Sequence, residues 1–173
     1  MPTIISEQNP TDPNPTKILE IHNRAFGQQD EAEIVKKIRA EESFDPRLSL
    51  VAVEHKQIVG HILFSPITIE APNNQTPALA LGPLAVSPEK QQKGIGSALV
   101  REGIQACKSA GHRIIIVLGH PEFYRRFQFT PARPHNIHPP LDWSDESWLV
   151  CPLVDHSLEG VSGTVRYPPP WGI

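Results

Sequence analysis

Two cysteines, Cys107 and Cys151, are all that 173 residues contain; they sit in unrelated contexts, which excludes a disulfide framework and leaves buried thiols as the reading. Long apolar runs are also missing. The longest, such as "IIIVL" at 114–118, fall far short of the ~20 residues a membrane helix requires. The opening "MPTIISEQNP" lacks the basic and apolar regions of a secretory signal, so a cytoplasmic location is expected. Nor is there an excess of charge of one sign: a net charge of -3 and a pI of about 6.2 exclude a general attraction to nucleic acid or anionic lipid, leaving room only for a local basic site.

What is present is the composition of a globular domain, 39% hydrophobic and 20% charged, and 1–173 is expected to form a single domain. Proline departs from the norm. Its 19 residues are roughly twice the usual share of about 5% and gather at both ends, which predicts an irregular arm over 1–15 and a proline-rich C-terminal region over 132–173.

Between these ends the periodicity is clear. Ile18, Leu19, Ile21, Ala25 and Phe26 recur at helical spacing after Thr16, a suitable N-cap. A second helix is predicted over 30–41, with Asp30 as cap and Ala32, Ile34, Val35 and Ile38 as its apolar stripe. "LSLVAVEHKQIVGHILFSPITIEA" reads as an antiparallel hairpin with strands at 48–54 and 58–69. "PNNQTP" breaks the chain, and "ALALGPLAVSP" carries the next strand to Val86. A helix is predicted over 94–110, with Ile95, Ala98, Leu99, Ala106 and Ala110 along one face and Gly111 at C′. "HRIIIVLG" reads as a strand covered on both faces, so strand, helix and strand make one crossover unit with a parallel pair. A short helix follows around "PEFYRRF". The prolines of "TPARPHNIHPPLDWSDE" predict a loop, "SWLVCPLVD" a late strand, and "GTVRYPPPWGI" a terminal extended piece.

The chemistry concentrates at "SPEKQQKGIGSALV", residues 87–100. Gly94 and Gly96 fall at the first turn of a helix, where backbone N–H groups have no helical acceptor and attract an anion. The helix dipole adds its positive end, and Lys93, with Lys90, adds formal charge. The plainer reading is a strand-to-helix turn eased by glycine. Two other phosphate-binding patterns do not fit: a dinucleotide fingerprint wants a small residue where Leu99 stands, and the P-loop's Gly-Lys-Ser/Thr is absent.

The stretch "LGPLAVSPEKQQKGIGSALV" resembles the acyl-CoA signature of the GNAT superfamily of N-acetyltransferases, with Gln91, Gly94 and Gly96 at the positions of its Gln/Arg-x-x-Gly-x-Gly/Ala pattern. "VLGHPEFYRRFQFTPA" is similar to the second signature of that superfamily, a strand leading into a helix that carries a tyrosine. The wording is closest to a bacterial branch of N-acetyltransferases with unassigned acceptors. The resemblance covers residues 80–131 and implies an α/β fold: a mixed, mostly antiparallel sheet with a splayed parallel central pair flanked by helices. It implies acetyl-CoA as cosubstrate, with the pantetheine arm between the splayed strands on the backbone of Leu84, Ala85 and Val86. The diphosphate would then fall on the corner formed by Gln91, Gln92, Lys93, Gly94, Ile95, Gly96 and Ser97.

By the same resemblance the reaction is direct transfer of an acetyl group to an amine of a small molecule or protein. Leu84 or Ala85 N–H would meet the oxyanion and Tyr124 would protonate the departing thiolate. The base is not legible, because many relatives carry a glutamate on the strand that here reads "LGPLAV". His120 is the candidate for it, and equally a helix N-cap or a solvent-facing loop residue. His61, in "VGHILF", reads as a satisfied strand histidine, or as a base acting through water. Glu122 reads as first-turn helix charge, and Phe123, Phe127 and Phe129 as core. Gln128 stands where the family often has glycine. No metal site is expected, the prolines around "HNIH" preventing a helical His pair. Trp143, Trp148 and Trp171 line an acceptor pocket or pack the tail. The expected partners are acetyl-CoA and an unidentified amine, with a homodimer left open and neither nucleic acid nor membrane. Two alternatives stand beside this reading: a catalytically silent acyl-CoA-binding or regulatory module, and a protein of oligomeric assembly.

Overall fold

A computed structural model describes residues 1–7 and 15–173. They form two compact units, Met1–Ser65 with Gly82–Ala106 and Pro66–Leu81 with Cys107–Ile173.

The first unit opens on strand β1 (Thr3–Ser6), where the sequence predicts an irregular arm. Thr3, Ile4 and Ile5 are β-branched, and the strand pairs antiparallel with β2 (Ser49–Glu54), from Thr3 opposite Val53 to Ser6 opposite Leu50. The rest of the arm at 8–14 lies outside the described residues. Helix α1 (Pro15–Phe26) starts on a proline, whose fixed φ suits the first helical position, so Thr16 lies inside the helix instead of capping it. It buries Ile18, Ile21 and His22. Helix α2 (Asp30–Arg39) is two residues shorter than expected and is preceded by Gln29 as cap; Asp30 instead joins Glu31 and Glu33 in the first turn, where acidic groups meet the positive end of the helix dipole.

β2 and β3 (Gln57–Ala71) form the expected hairpin, with Val51 opposite His61 and a bulge at Ala52/Val53. His55 and Lys56 at the turn have φ of 49° and 63°, the left-handed pair that matches the twist of a two-residue hairpin. The break expected over "PNNQTP" is confined to two residues, since β4 (Asn74–Val86) begins at Asn74. Pro77 is tolerated there because that end of the strand is exposed. Helix α3 (Ile95–Ser109) follows. Its buried stripe runs through Ile95, Leu99, Val100, Gly103 and Cys107, while Ala98, Ala106 and Ala110 are half-buried flanks; the larger apolar side chains, not the alanines, set the inward face.

In the second unit β5 (Ile114–Leu118) runs parallel to β4, with Leu79 opposite Ile115 and Ala80 opposite Ile116, as the crossover reading requires. After α4 (Pro121–Arg125) the segment expected as loop holds two-residue strands, β6 (Thr130–Pro131) and β7 (Ile137–His138). Pro131 of β6 is accommodated because so short a strand needs few ladder donors, and β7 fits between the prolines on either side of it. β8 (Trp148–Pro152) pairs antiparallel with β5 along its whole length and with β6 on its other side. β9 (Gly163–Arg166) pairs with Thr68–Glu70 of β3 and, in parallel, with β7. The sheet is therefore mixed, parallel at β4–β5 and β7–β9 and antiparallel in its other pairs.

The core of this unit gathers Ile67, Ile69, Ile114, Ile116, Val150 and Trp148 among others. Trp148 is fully buried and its indole N–H donates to the Ile137 carbonyl at 3.1 Å. Trp143 lies against Trp148 and Tyr167, and Tyr167 against Trp171, with ring centroids 5.1–6.1 Å apart. The three tryptophans thus pack the proline-rich tail onto the sheet. Trp148→Ala is expected to lower unfolding free energy by about 3–5 kcal/mol, from the lost burial and the cavity left behind, read as a shifted midpoint in urea at unchanged slope.

Candidate functional site

β4 ends at a corner that is held at several points. The Ser87 amide donates to the Val59 carbonyl at 2.8 Å, and the Gln91 side-chain amide donates to the Val86 carbonyl at 3.1 Å. A 3-10 turn at Pro88–Lys90 follows, closed by Lys90 N–H on the Ser87 carbonyl. Gln92 and Gly94 then take left-handed backbone, φ 60° and 86°. The Gly94 carbonyl accepts the Ala98 N–H at 3.0 Å and so begins α3; the amides of Ile95 and Gly96 belong to the first turn, which offers them no helical acceptor. A Cβ on Gly94 would meet nothing within 4 Å. The glycine is there for its φ, and the space beside it is open.

The charges around the corner are partly committed. Lys90 is paired with Glu54, and Glu89 with Arg24 at 2.6 Å; the Lys90 ammonium holds the Glu54 carboxyl below its ordinary range. Lys93 is exposed and is the cation of the corner best placed to face a solvent-borne anion. Just upstream, Ala85 is buried and Leu84 and Val86 are half-buried. Of the sequence-predicted residues, Leu84, Ala85, Val86 and Gln91 to Ser97 therefore fall together in the first unit. β4 carries no ionisable side chain.

Tyr124 and His120 come together in the second unit. His120 precedes α4 at the cap position, exposed, with no capping bond from its ring. Tyr124 is buried and lies against Gly119, where a Cβ would come within 2.4 Å of its ring. Phe123 and Phe129 meet the Tyr124 ring at 4.9 and 5.4 Å between centroids, in the T-shaped manner favoured by aromatic quadrupoles. Burial pushes the phenol above its ordinary value, so it keeps its proton at neutral pH. Gln128 adopts φ 69°: the left-handed turn a glycine would make is kept with a glutamine.

One constellation escaped the sequence reading. His61, fully buried on β3, has its Nδ1 2.8 Å from His22 Nε2 and its Nε2 2.8 Å from Ser49 Oγ. Ser49 Oγ donates to Glu7 at 2.5 Å, and Arg39 pairs with the same carboxylate oxygen. The members of this hydrogen-bonded line are spread over residues 7 to 61, and the sequence signal is only a polar residue on an otherwise apolar face: His22 between Ile21 and Ala25, His61 within "VGHILF". Burial lowers His22 to about 4 and takes His61 well below its ordinary value, helped by His22 and Arg39. Among the described residues no three His, Cys, Asp or Glu side chains gather to hold a metal ion, and no helix is long and apolar enough to cross a membrane.

Comparison with known proteins places this geometry. A family model described as "Acetyltransferase (GNAT) domain" matches residues 9–132. The chain is 38% identical over 122 residues to the uncharacterized N-acetyltransferase YjhQ of Escherichia coli K12, covering 70% of this chain and 67% of that protein. It is 32% identical over 145 residues to the uncharacterized N-acetyltransferase YhbS of the same organism, covering 83% and 84%. Among solved structures it is similar to YhbS from Escherichia coli in complex with CoA, with a TM-score of 0.89, 28% identity and coverage of 99% and 92%. It is also similar to a GNAT family acetyltransferase from Brucella melitensis in complex with acetyl-CoA, with a TM-score of 0.78, 31% identity and coverage of 99% and 98%.

The lowered His22 has a consequence for stability. A ring neutral down to about pH 4 when folded, but protonated below about 6.5 when unfolded, stabilises the fold above pH 6.5 and loses that contribution as pH falls to 4. The difference corresponds to roughly 3 kcal/mol. Urea unfolding between pH 7 and pH 4 is expected to show a steeper decline for the native sequence than for His22→Asn, by about that amount.

Proposed function

Because the chain belongs to the GNAT acetyltransferase family, we propose that it binds acetyl-CoA and moves the acetyl group directly to an amine of a small molecule or protein. The observation that carries the cofactor assignment is the corner before α3: left-handed Gly94 with open space beside it, followed by Ile95 and Gly96 in a first turn that gives their amides no helical acceptor. The diphosphate is held by the N–H groups between Gln92 and Ser97, where amide donors and helix dipole act together. Lys93 supplies the charge that Lys90, paired with Glu54, does not. The relatives in complex with CoA and with acetyl-CoA support the choice of cosubstrate.

The pantetheine arm takes its hydrogen bonds from the backbone of Leu84, Ala85 and Val86. Leu84 or Ala85 N–H then receives the oxyanion when the amine adds to the thioester carbonyl, the kind of fixed donor that is worth most where water is excluded. The departing thiolate takes its proton from Tyr124, whose phenol is still protonated at neutral pH. A cytoplasmic site of action goes with this cosubstrate, and the net charge of -3 favours acceptors other than nucleic acid. The absence of an ionisable group on β4 is the one feature favouring a second reading, a silent acyl-CoA-binding module.

Two substitutions separate these readings. Gly96→Asp places a carboxylate in the first turn of α3, where acidic residues suit a helix. It is expected to leave the melting temperature near that of the wild type while weakening CoA affinity at least about tenfold, roughly 1.4 kcal/mol. Tyr124→Phe is expected to reduce kcat for thiol release from acetyl-CoA, measured over a panel of amines, by on the order of 10²-fold with little change in KM for acetyl-CoA. If CoA raises the melting temperature but no amine in the panel releases thiol, the silent module is the better account.

A further inference from the structure

The donors along the line from Arg39 to His22 can be assigned one by one, and they converge on Glu7 from both ends. Glu7, paired with Arg39, is a carboxylate and can only accept, so the Ser49 hydroxyl 2.5 Å away gives it its one proton. Ser49, its proton committed, must accept from His61 Nε2. A neutral imidazole carries one N–H, so His61 Nδ1 is a lone pair and His22 Nε2 donates to it. His22 Nδ1 is then also a lone pair, and it is buried with no hydrogen-bond partner. One residue along α1, Asn23 Oδ1 is a second buried acceptor with no donor. Buried polar atoms are rarely left unmet, and the His22 Nδ1 lone pair calls for a donor.

The strand that carries His61, β3, lies beside the strand proposed to polarise the acetyl carbonyl. Gly60, next to His61 on β3, comes so close to β4 that an added Cβ would stand 3.2 Å from the Ala85 carbonyl oxygen. β4 supplies no base of its own.

We infer that His22, His61, Ser49 and Glu7 form a proton relay for acetyl transfer, receiving at His22 Nδ1, through a bridging water, the proton that the acceptor nitrogen sheds. The inference rests on the acetyl-transfer reading above. As the C–N bond forms and the C–S bond breaks, sulfur leaves with the bonding pair and takes the Tyr124 proton, which solvent restores. The nitrogen's proton passes by the water to His22 Nδ1. In step, the His22 Nε2 proton moves to His61 Nδ1, the His61 Nε2 proton to Ser49 Oγ, and the hydroxyl proton to Glu7. Neither ring ends with two protons, and the proton leaves by the same route once product has gone. Arg39 is the fixed charge that faces Glu7 throughout. A ring held near 4 cannot strip an ammonium whose ordinary pKa is near ~10.4, so the acceptor enters as a neutral amine and gives up its proton only as it attacks.

His61→Gln separates a relay from a structural lock. The amide can donate to Ser49 and accept from His22, keeping both bonds, but it does not hand a proton on. With an amine identified in the panel, kcat is expected to fall on the order of 10²-fold in His61→Gln and in His22→Asn, and no further in the double variant. KM for acetyl-CoA, the melting temperature of His61→Gln and its rise with CoA should stay near wild type. Independently of any variant, ¹H–¹⁵N spectra of the native imidazoles should show both His22 and His61 as Nε2–H tautomers. Transfer by His61→Gln at the wild-type kcat, or a proton on His22 Nδ1, overturns the relay. A wild type that binds CoA but acetylates nothing overturns the acetyl-transfer reading and the relay together, and differs from the relay's own failure in that no wild-type rate exists.

Discussion

A helix must begin somewhere, and the first turn of α3 begins with amides that no residue of the helix can satisfy. In the corner between β4 and α3 these donors are set in place by the chain before them. The Ser87 amide is fastened to Val59, Gln91 reaches back to Val86, and the ion pairs of Glu54 with Lys90 and Arg24 with Glu89 hold the intervening turn. Gly94 supplies the left-handed step without which the helix could not start where it does. A set of donors fixed before a ligand arrives spends little of its binding energy on ordering, and the proposed reaction depends on the cofactor being held at this corner.

The interior of the first unit treats polar groups in a second way. Five side chains, from Arg39 through Glu7, Ser49 and His61 to His22, share one line of hydrogen bonds inside a body otherwise filled by residues such as Ile18, Val35 and Ile62. Such a line is costly to bury unless every member is met. Here all are met but the last nitrogen, so an ordinary piece of packing becomes a question of chemistry. By contrast the second unit solves its packing with apolar and aromatic bulk: Trp148 uses its one donor on Ile137, and Tyr167 with Trp143 and Trp171 closes the proline-rich tail.

What could be read in the sequence is what depends on neighbours along the chain. "IIIVL" is β5 because a continuous β-branched run suits a strand covered on both faces, and "KGIGSALV" opens α3 because glycine relieves a turn just before a helical period. The short strand β6 is hidden by Pro131, whose usual meaning is overridden where a strand is only two residues long, and β7 by the prolines that flank it. β1 was hidden by its proline-rich surroundings, although "TIIS" has the β-branched content of a strand. The histidine chain was illegible for a different reason. Its members come from β1's end, α1, α2, β2 and β3, and only the folded arrangement makes Glu7 a neighbour of Ser49 or His22 a neighbour of His61. Tyr124 could be named from its signature, yet the ring's place against Gly119 and Phe129 follows from three-dimensional packing alone.

The central claim is that the amides between Gln92 and Ser97 receive the diphosphate of coenzyme A. Backbone ¹H–¹⁵N spectra recorded during titration with CoA, and in parallel with pantetheine, which lacks the diphosphate, test it most directly. The account predicts that CoA produces its largest amide shifts at residues 92–97 and that pantetheine leaves those resonances in place. CoA binding that leaves them unmoved, or a protein that does not respond to CoA, would contradict it.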